Sequence, residues 1–293
     1  NLLRNRPAKP LPAAALVTDP SLIRLHKSFC DIERSCYSIP NYPSWGDVFN
    51  TADEDTAFAF DEITAGGFNS PVVMLAKDID NLDPDNTPFL VLPPIVKDTP
   101  GEVIVAVRNA HKRGINLLAF EEVAGLEDLF GVKLLPAPVV VRSVAGEAVD
   151  HPLAVARYEA TDAQAILSGA EQNGQKEILP MMLTKKTRYG LTAFVNIPPT
   201  VVRREDFRQK LGYGYKTLSG PIREAFRRVI QFLHETPAVQ TERGGITACT
   251  TINGDLVVTL QDVSSTYGDT TEYPATFRFQ IRHPGIGKRS VES

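Results

Sequence analysis

Two adjacent carboxylates, Glu121 and Glu122, end an apolar run at residues 115–120 and stand just before Val123-Ala124-Gly125. Paired carboxyl groups can hydrolyse a glycosidic bond, one as acid and one as base or nucleophile. They must then face each other across about 5–10 Å of sugar. Neighbouring loop residues usually point apart, so such an enzyme would need a second partner, Asp128 or Glu62. The plainer role for the pair is to favour the start of the short helical stretch LEDLFG, because acidic side chains suit a helix N-terminus. Residues 113–131 contain no Cys, Ser or His, so a nucleophile of those types is missing from the best-placed loop.

The other chemistry-bearing residues form weaker patterns. Asp78, Asp80, Asp83 and Asp85 make an oxygen-rich run, but without the glycine and terminal glutamate of a calcium loop. His26, His111, His151, His234 and His283 never fall three or four apart, which argues against zinc. No metal or other cofactor is expected. Trp45, Tyr42 and Tyr37 cluster in SCYSIPNYPSWGD and could stack on a carbohydrate or anchor a partner, or simply pack over a sheet edge. Tyr213, Tyr215 and Tyr267 are further interface candidates tied to no ligand. Cys30 and Cys36, six apart on an expected helix, sit roughly 120° from a shared face. With Cys249 they read as buried thiols and not as a disulfide framework.

These residues must be positioned by regular elements. Residues 13–18 read as a buried strand, and Asp19-Pro20-Ser21 then starts a helix reaching about Cys36. A second helix opens with capping-box spacing at Thr51–Glu54 and stops at Gly66-Gly67. Residues 71–75 and 89–92 are strands. Thr99-Pro-Gly-Glu102 again has capping-box spacing, now with a proline at the first helical position, and Val103, Ala106, Val107 and Ala110 make the apolar stripe that follows. Strands alternating with amphipathic helices imply an α/β domain, a mostly parallel sheet covered on both faces. With right-handed crossovers this becomes a flavodoxin-like, doubly wound layer.

After Gly131 the pattern changes. Residues 132–144, 153–158, 163–168, 178–183 and 191–197 read as strands without long helices between them, the last two joined by the turn KKTRYG. Residues 219–235 form the strongest helix, with Ile222, Phe226, Val229, Ile230 and Leu233 at helical spacing. From residue 239 the pattern is purely β, with Asn253-Gly254 as a hairpin signal. The expected organisation is a Pro-rich basic linker at 1–10, an α/β domain at 11–236, and a small antiparallel C-terminal β module at 237–293.

Composition narrows the classes. The 293 residues are 43% hydrophobic, enough for a sizeable core, and carry a net charge of -4. Basic residues are scattered; the runs Lys185-Lys186-Thr187-Arg188 and Arg223–Arg228 read as solvated faces, so no nucleic-acid partner is expected. No apolar run approaches the roughly 20 residues of a bilayer-spanning helix, so no membrane partner is expected either. The chain opens at Asn1, without Met or a signal peptide, which fits a processed protein or a piece of a longer one. The compartment is not set by these features.

FLVLPPIVKDTPGEVIVAVRNAHKRGINLLAF resembles the central segment of the β-galactosidase trimerisation domain, a branch of the class I glutamine-amidotransferase-like superfamily. LEDLFGVK resembles the short helix that follows there, and RYGLTAFVNIPP its late strand. The final helix and β module resemble the C-terminal β domain of those multi-domain glycosidases. The likeness spans roughly residues 11–235. Amidotransferases of this superfamily place a cysteine in a strained glycine-flanked elbow; the matching stretch here, AFEEVAG, has none. The trimerisation branch also lacks it. The resemblance therefore implies a non-catalytic domain of a glycoside hydrolase, assembling as a homo-oligomer or framing an active site on an upstream catalytic domain. The rivals are a stand-alone hydrolase using Glu121 or Glu122, and a carbohydrate-binding module using the Trp45 loop.

Overall fold

The computed structural model describes residues 8–10, 12–19, 21–22, 63, 71–136, 138–171, 178–196, 220–234, 239–241, 245–252, 255–262 and 279–281. The strands are β1 (Ala8–Pro10), β2 (Ala15–Val17), β3 (Val72–Met74), β4 (Phe89–Leu92), β5 (Asn116–Phe120), β6 (Val132–Leu134), β7 (Val139–Val144) and β8 (Glu147–Val155). They continue as β9 (Tyr158–Ala160), β10 (Gln164–Glu171), β11 (Ile178–Lys186), β12 (Leu191–Val195), β13 (Val239–Thr241), β14 (Gly245–Ile252), β15 (Asp255–Asp262) and β16 (Phe279–Ile281). Among the described residues the helices with both ends in view are α1 (Gly101–Lys112), α2 (Glu127–Phe130) and α3 (Gly220–Leu233), with a 3-10 segment at Ala76–Asn81.

Nine strands form one sheet in the order β3-β2-β4-β5-β12-β11-β10-β7-β8. The five from β3 to β12 are parallel throughout. Beyond β12 the sheet is extended by antiparallel pairs. The fold is thus α/β with a parallel centre, and β5 lies inside that parallel part.

Every residue of β4 is buried, as a strand covered on both faces requires. Alternation along β5 sends Leu117 and Ala119 to one face and Leu118 and Phe120 to the other. The first face packs with Val103, Ala106, Val107 and Ala110 of α1. The second packs with Ile222, Phe226, Val229, Ile230 and Leu233 of α3. Burying each large apolar side chain contributes about 1.5–3 kcal/mol, so these two stripes fix the height and tilt of β5.

Several local expectations are revised. The capping box at Thr99 does not form: Pro100 is the N-cap of α1 with no side-chain cap bond, and Thr99 Oγ1 is buried without a partner among the described residues. The helix starts one residue later than the Thr–Glu spacing implies. Residues 132–144 split into β6 and β7 around Pro136 and Pro138, which have no N–H to give a ladder. β6 then pairs with β9 in a separate ribbon, while β7 joins the main sheet. β8 begins at Glu147, well before the expected start at residue 153. Ala145 and Gly146 both take left-handed backbone (φ 54 and 83), and Val144 pairs with Glu147, which makes a two-residue hairpin. The last three residues of the expected linker, Ala8–Pro10, pair antiparallel with β14, so β1, β14 and β15 make one three-stranded sheet. Within it Ile252 pairs with Asp255, the register of a two-residue hairpin loop.

One interior residue predicts a pH response. His111, at the end of α1, is fully buried; its Nδ1 lies 3.0 Å from the Ile115 carbonyl oxygen and its Nε2 2.7 Å from Thr187 Oγ1. The carbonyl can only accept, so Nδ1 carries the proton; in the neutral ring Nε2 then accepts from the Thr187 hydroxyl, which otherwise donates to the Gly190 carbonyl at 3.1 Å. Burial pushes the imidazole below its ordinary value, with the Ile115 bond opposing. The unfolded chain, with an imidazole pKa of about 6.5, then takes up a proton before the folded one does. This contribution to stability is full above about pH 6.5 and declines as pH falls toward the folded value. Urea unfolding at pH 7.5 and 5.5 should show a smaller loss on acidification in His111→Gln than in the parent chain. Equal losses would count against a neutral buried His111.

Candidate functional site

The carboxyl ends of parallel strands are where ligands and catalytic groups gather in open α/β sheets. Glu121 and Glu122 stand at that end of β5. Glu121 N–H donates to the Val195 carbonyl at 2.8 Å, continuing the β5–β12 ladder by one step. Glu122 N–H then turns back to the Phe120 carbonyl at 2.6 Å. This closes a three-residue turn centred on Glu121, which has φ 56, a left-handed backbone uncommon outside glycine. Glu121 is only 6% exposed. The strand-to-loop break is thus a strained turn around a buried carboxyl residue. Strain of this kind costs on the order of 1–3 kcal/mol and clusters at functional positions.

The loop beyond the turn is tied to its surroundings. Ile95 N–H donates to the Glu122 carbonyl and Ala124 N–H to the Ile95 carbonyl, so the segments after β4 and β5 run side by side. Val123 N–H donates to the Tyr158 hydroxyl at 3.3 Å. Tyr158 is 2% exposed and its ring meets Phe194 of β12 edge-on at 5.0 Å. Burial raises its phenol far above the ordinary range, and the negative charges of Glu122 and Glu127 add to that, against the Val123 bond.

Asp128, one sequence candidate for a second carboxylate, is engaged in an ion pair. Arg108 reaches it with both terminal nitrogens, at 2.9 and 2.5 Å, and also donates to the Gly125 carbonyl at 2.7 Å. The Arg108 hydrogen bond holds the Asp128 carboxyl below its usual range. A carboxylate clamped in this way suits closing the loop between β5 and α2 better than delivering a proton. Glu62, Trp45, Tyr42 and Tyr37 lie outside the described residues, as do Tyr213, Tyr215, Tyr267, Cys30, Cys36, His26 and His283.

The acidic run is organised as a turn. The Asp83 carboxylate accepts from Asp85 N–H and from the Asn86 amide, while Asp80 faces Arg113 at 3.8 Å. Among the described residues no three His, Cys, Asp or Glu side chains come together as a metal site would require.

Sequence reasoning missed two polar residues beside the Glu121 turn, Tyr158 and Asn196. Asn196 follows directly on β12 and is 2% exposed. Its backbone N–H donates to Met181 and its Nδ2 to the Ala156 carbonyl at 2.9 Å. That bond sets the amide's orientation and leaves Oδ1 buried with no hydrogen-bond partner among the described residues. The only signal available was a polar residue ending the apolar run TAFV.

No family model matches the chain, and no curated protein matches it in sequence. Solved structures do. A catalytic mutant of a GH42 β-galactosidase from G. stearothermophilus superposes with a TM-score of 0.52 at 12% identity, over 87% of this chain and 34% of that one. A second structure of a GH42 β-galactosidase gives 0.50 at 11% identity with the same coverage. The chain thus spans about a third of the length of the enzymes it matches, and what it shares with that third is the fold.

Proposed function

We propose that this chain is a non-catalytic, flavodoxin-like domain of the amidotransferase-like, trimerisation type, belonging to a glycoside hydrolase. Its task is assembly, or framing of an active site carried by another domain. The parallel strand order β3-β2-β4-β5-β12 supports the flavodoxin-like assignment, because it is the 2-1-3-4-5 order of that layer. The observation that carries the functional assignment is the turn after β5. Its strained position, where an acyl-transfer enzyme keeps a nucleophile, holds Glu121 with φ 56. A carboxylate there cannot form the thioester of a glutamine amidotransferase. The partial overlap with a larger β-galactosidase favours a part of a multi-domain enzyme over a complete one.

The purified chain, assayed with aryl galactosides and with glutamine, should turn over neither above the uncatalysed rate. Robust turnover of either would overturn the proposal. Light scattering addresses assembly separately: a homo-oligomer is expected, and a monomer at micromolar concentration would remove oligomerisation from the role and leave framing.

The rival hydrolase draws on one observation, the strained and buried Glu121. If galactoside turnover appears and is lost in both Glu121→Gln and Glu122→Gln, the rival stands. If it persists in both, another site is responsible.

A further inference from the structure

The ends of β5 and β12 concentrate unused hydrogen-bonding capacity. Asn196 Oδ1 is a buried acceptor with no partner among the described residues. The Tyr158 oxygen accepts from Val123 N–H, and among the described residues its own O–H meets no acceptor. Both residues are 2% exposed. The Asn196 N–H bond to Met181 carries the β12 alternation one residue past its end, which puts Asn196 on the face of Phe194. Tyr158 packs on Phe194, and Asn196 bonds the backbone of Ala156, two residues before Tyr158. Asn196 and Tyr158 are therefore linked through Phe194 and the Ala156 backbone, and the strained turn at Glu121 adjoins them through Val195 and Val123.

A buried acceptor left unpaired costs about 1–3 kcal/mol, and an apolar residue at position 196 would avoid that cost. A strained non-glycine turn adds a second cost one strand away. Costs of this kind placed side by side at the carboxyl end of a parallel sheet mark a site, because the fold alone gains nothing from them.

We propose that Asn196 Oδ1 and the Tyr158 hydroxyl form a subsite for a ligand hydroxyl, as carried by a sugar or another small polyol. A hydroxyl donates once and accepts twice, so one group satisfies both side chains. An ammonium group would serve Asn196 but has no lone pair for the phenol. A carboxylate or phosphate would accept from the phenol but has nothing to give Asn196, and Glu122 and Glu127 lend the region negative charge. This subsite does not depend on the chain being non-catalytic, and it uses none of the aromatic residues around Trp45. A buried water offers the same donor and acceptor, so the test must tell solvent from ligand.

The side-chain amide of Asn196 is the reporter. In the 15N-labelled chain it is assigned by its disappearance in Asn196→Leu. Galactose and glycerol are then titrated separately while the amide is followed by NMR. The expected result is a saturable shift of this amide with at least one polyol. Tyr158→Phe, which keeps the ring against Phe194, should weaken that binding about 10-fold, the worth of one lost hydrogen bond. A long-lived water cross-peak that neither polyol displaces means solvent only and overturns the proposal. A linear, non-saturating drift up to molar glycerol means an adventitious additive only and does the same. Triple-resonance spectra of the unmodified chain assign the same amide independently, so poor folding of either variant leaves the titration decisive.

Discussion

Truncating Phe226 to alanine is expected to lower the unfolding free energy by about 3–5 kcal/mol, the range for removing a large aromatic from a packed core. Phe226 is fully buried on α3 and stacks on Phe120, with ring centroids 6.1 Å apart and planes 24° from parallel. Ile222, Val229, Ile230 and Leu233 hold the rest of the helix against the same cluster, so the void has little freedom to collapse. Phe120 is the last residue of β5 and directly precedes Glu121. The cavity therefore opens beneath the strained turn. Equilibrium urea unfolding measures the loss, and amide exchange adds a local reading: Glu121 N–H, bonded to the Val195 carbonyl, should exchange faster than neighbouring β5 amides. Phe226→Leu keeps most of the volume and should cost well under half as much. A loss of less than about 1 kcal/mol for the alanine variant would mean that α3 does not seal this face.

How far the sequence reaches differs from strand to strand, for physical reasons. FLVL was legible as β4 because a strand buried on both faces needs an unbroken apolar run, and its four residues match the observed bounds. The stripes of α1 and α3 were legible from their helical spacing, and α3 lies within one or two residues of its expected ends. Position explains why Glu121 and Glu122 could be found at a strand end. Nothing in their identities announces a left-handed backbone, since glutamate has no preference for it. The Ala145-Gly146 turn was hidden in the same way, half of it being alanine.

Long-range pairing was the other limit. That β1 would lie against β14 depends on residues more than 200 positions apart meeting, and short segments such as Ala8–Pro10 carry no pattern to predict it. The parallel neighbour of β5 was likewise unreadable. It is β12, reached after an excursion through six strands, β6 to β11, and β12 is what brings Asn196 beside Glu121. A polar residue closing an apolar run looks like a loop start in sequence. Only the fold reveals that its amide is buried, oriented by Ala156 and short of one partner.

A second large effect is expected at Gly131. This residue ends α2 in the left-handed conformation (φ 65, ψ 40), and its N–H returns to the Glu127 carbonyl. Glycine is favoured at such a cap because a Cβ there costs about 1–2 kcal/mol. Space is the harder constraint. A Cβ at 131 would lie 2.5 Å from Asp162 Oδ1, 2.8 Å from the backbone nitrogen of Ala163 and 2.8 Å from Lys185 Cδ. The Lys185 side chain cannot simply swing aside, because its Nζ is held by Asp162 at 2.8 Å and by the Asp128 carbonyl at 2.6 Å. The backbone of Thr161 is also tied to the Gly131 carbonyl. Conformational strain and overpacking together should make Gly131→Ala cost about 2–4 kcal/mol. The two components separate in a second variant: Asp162→Ala combined with Gly131→Ala removes one flexible obstacle but leaves the Ala163 nitrogen in place. The double variant should therefore recover only part of the loss. Complete recovery would show that the backbone approach at Ala163 imposes no cost, whereas a Gly131→Ala chain as stable as its parent would overturn the cap itself.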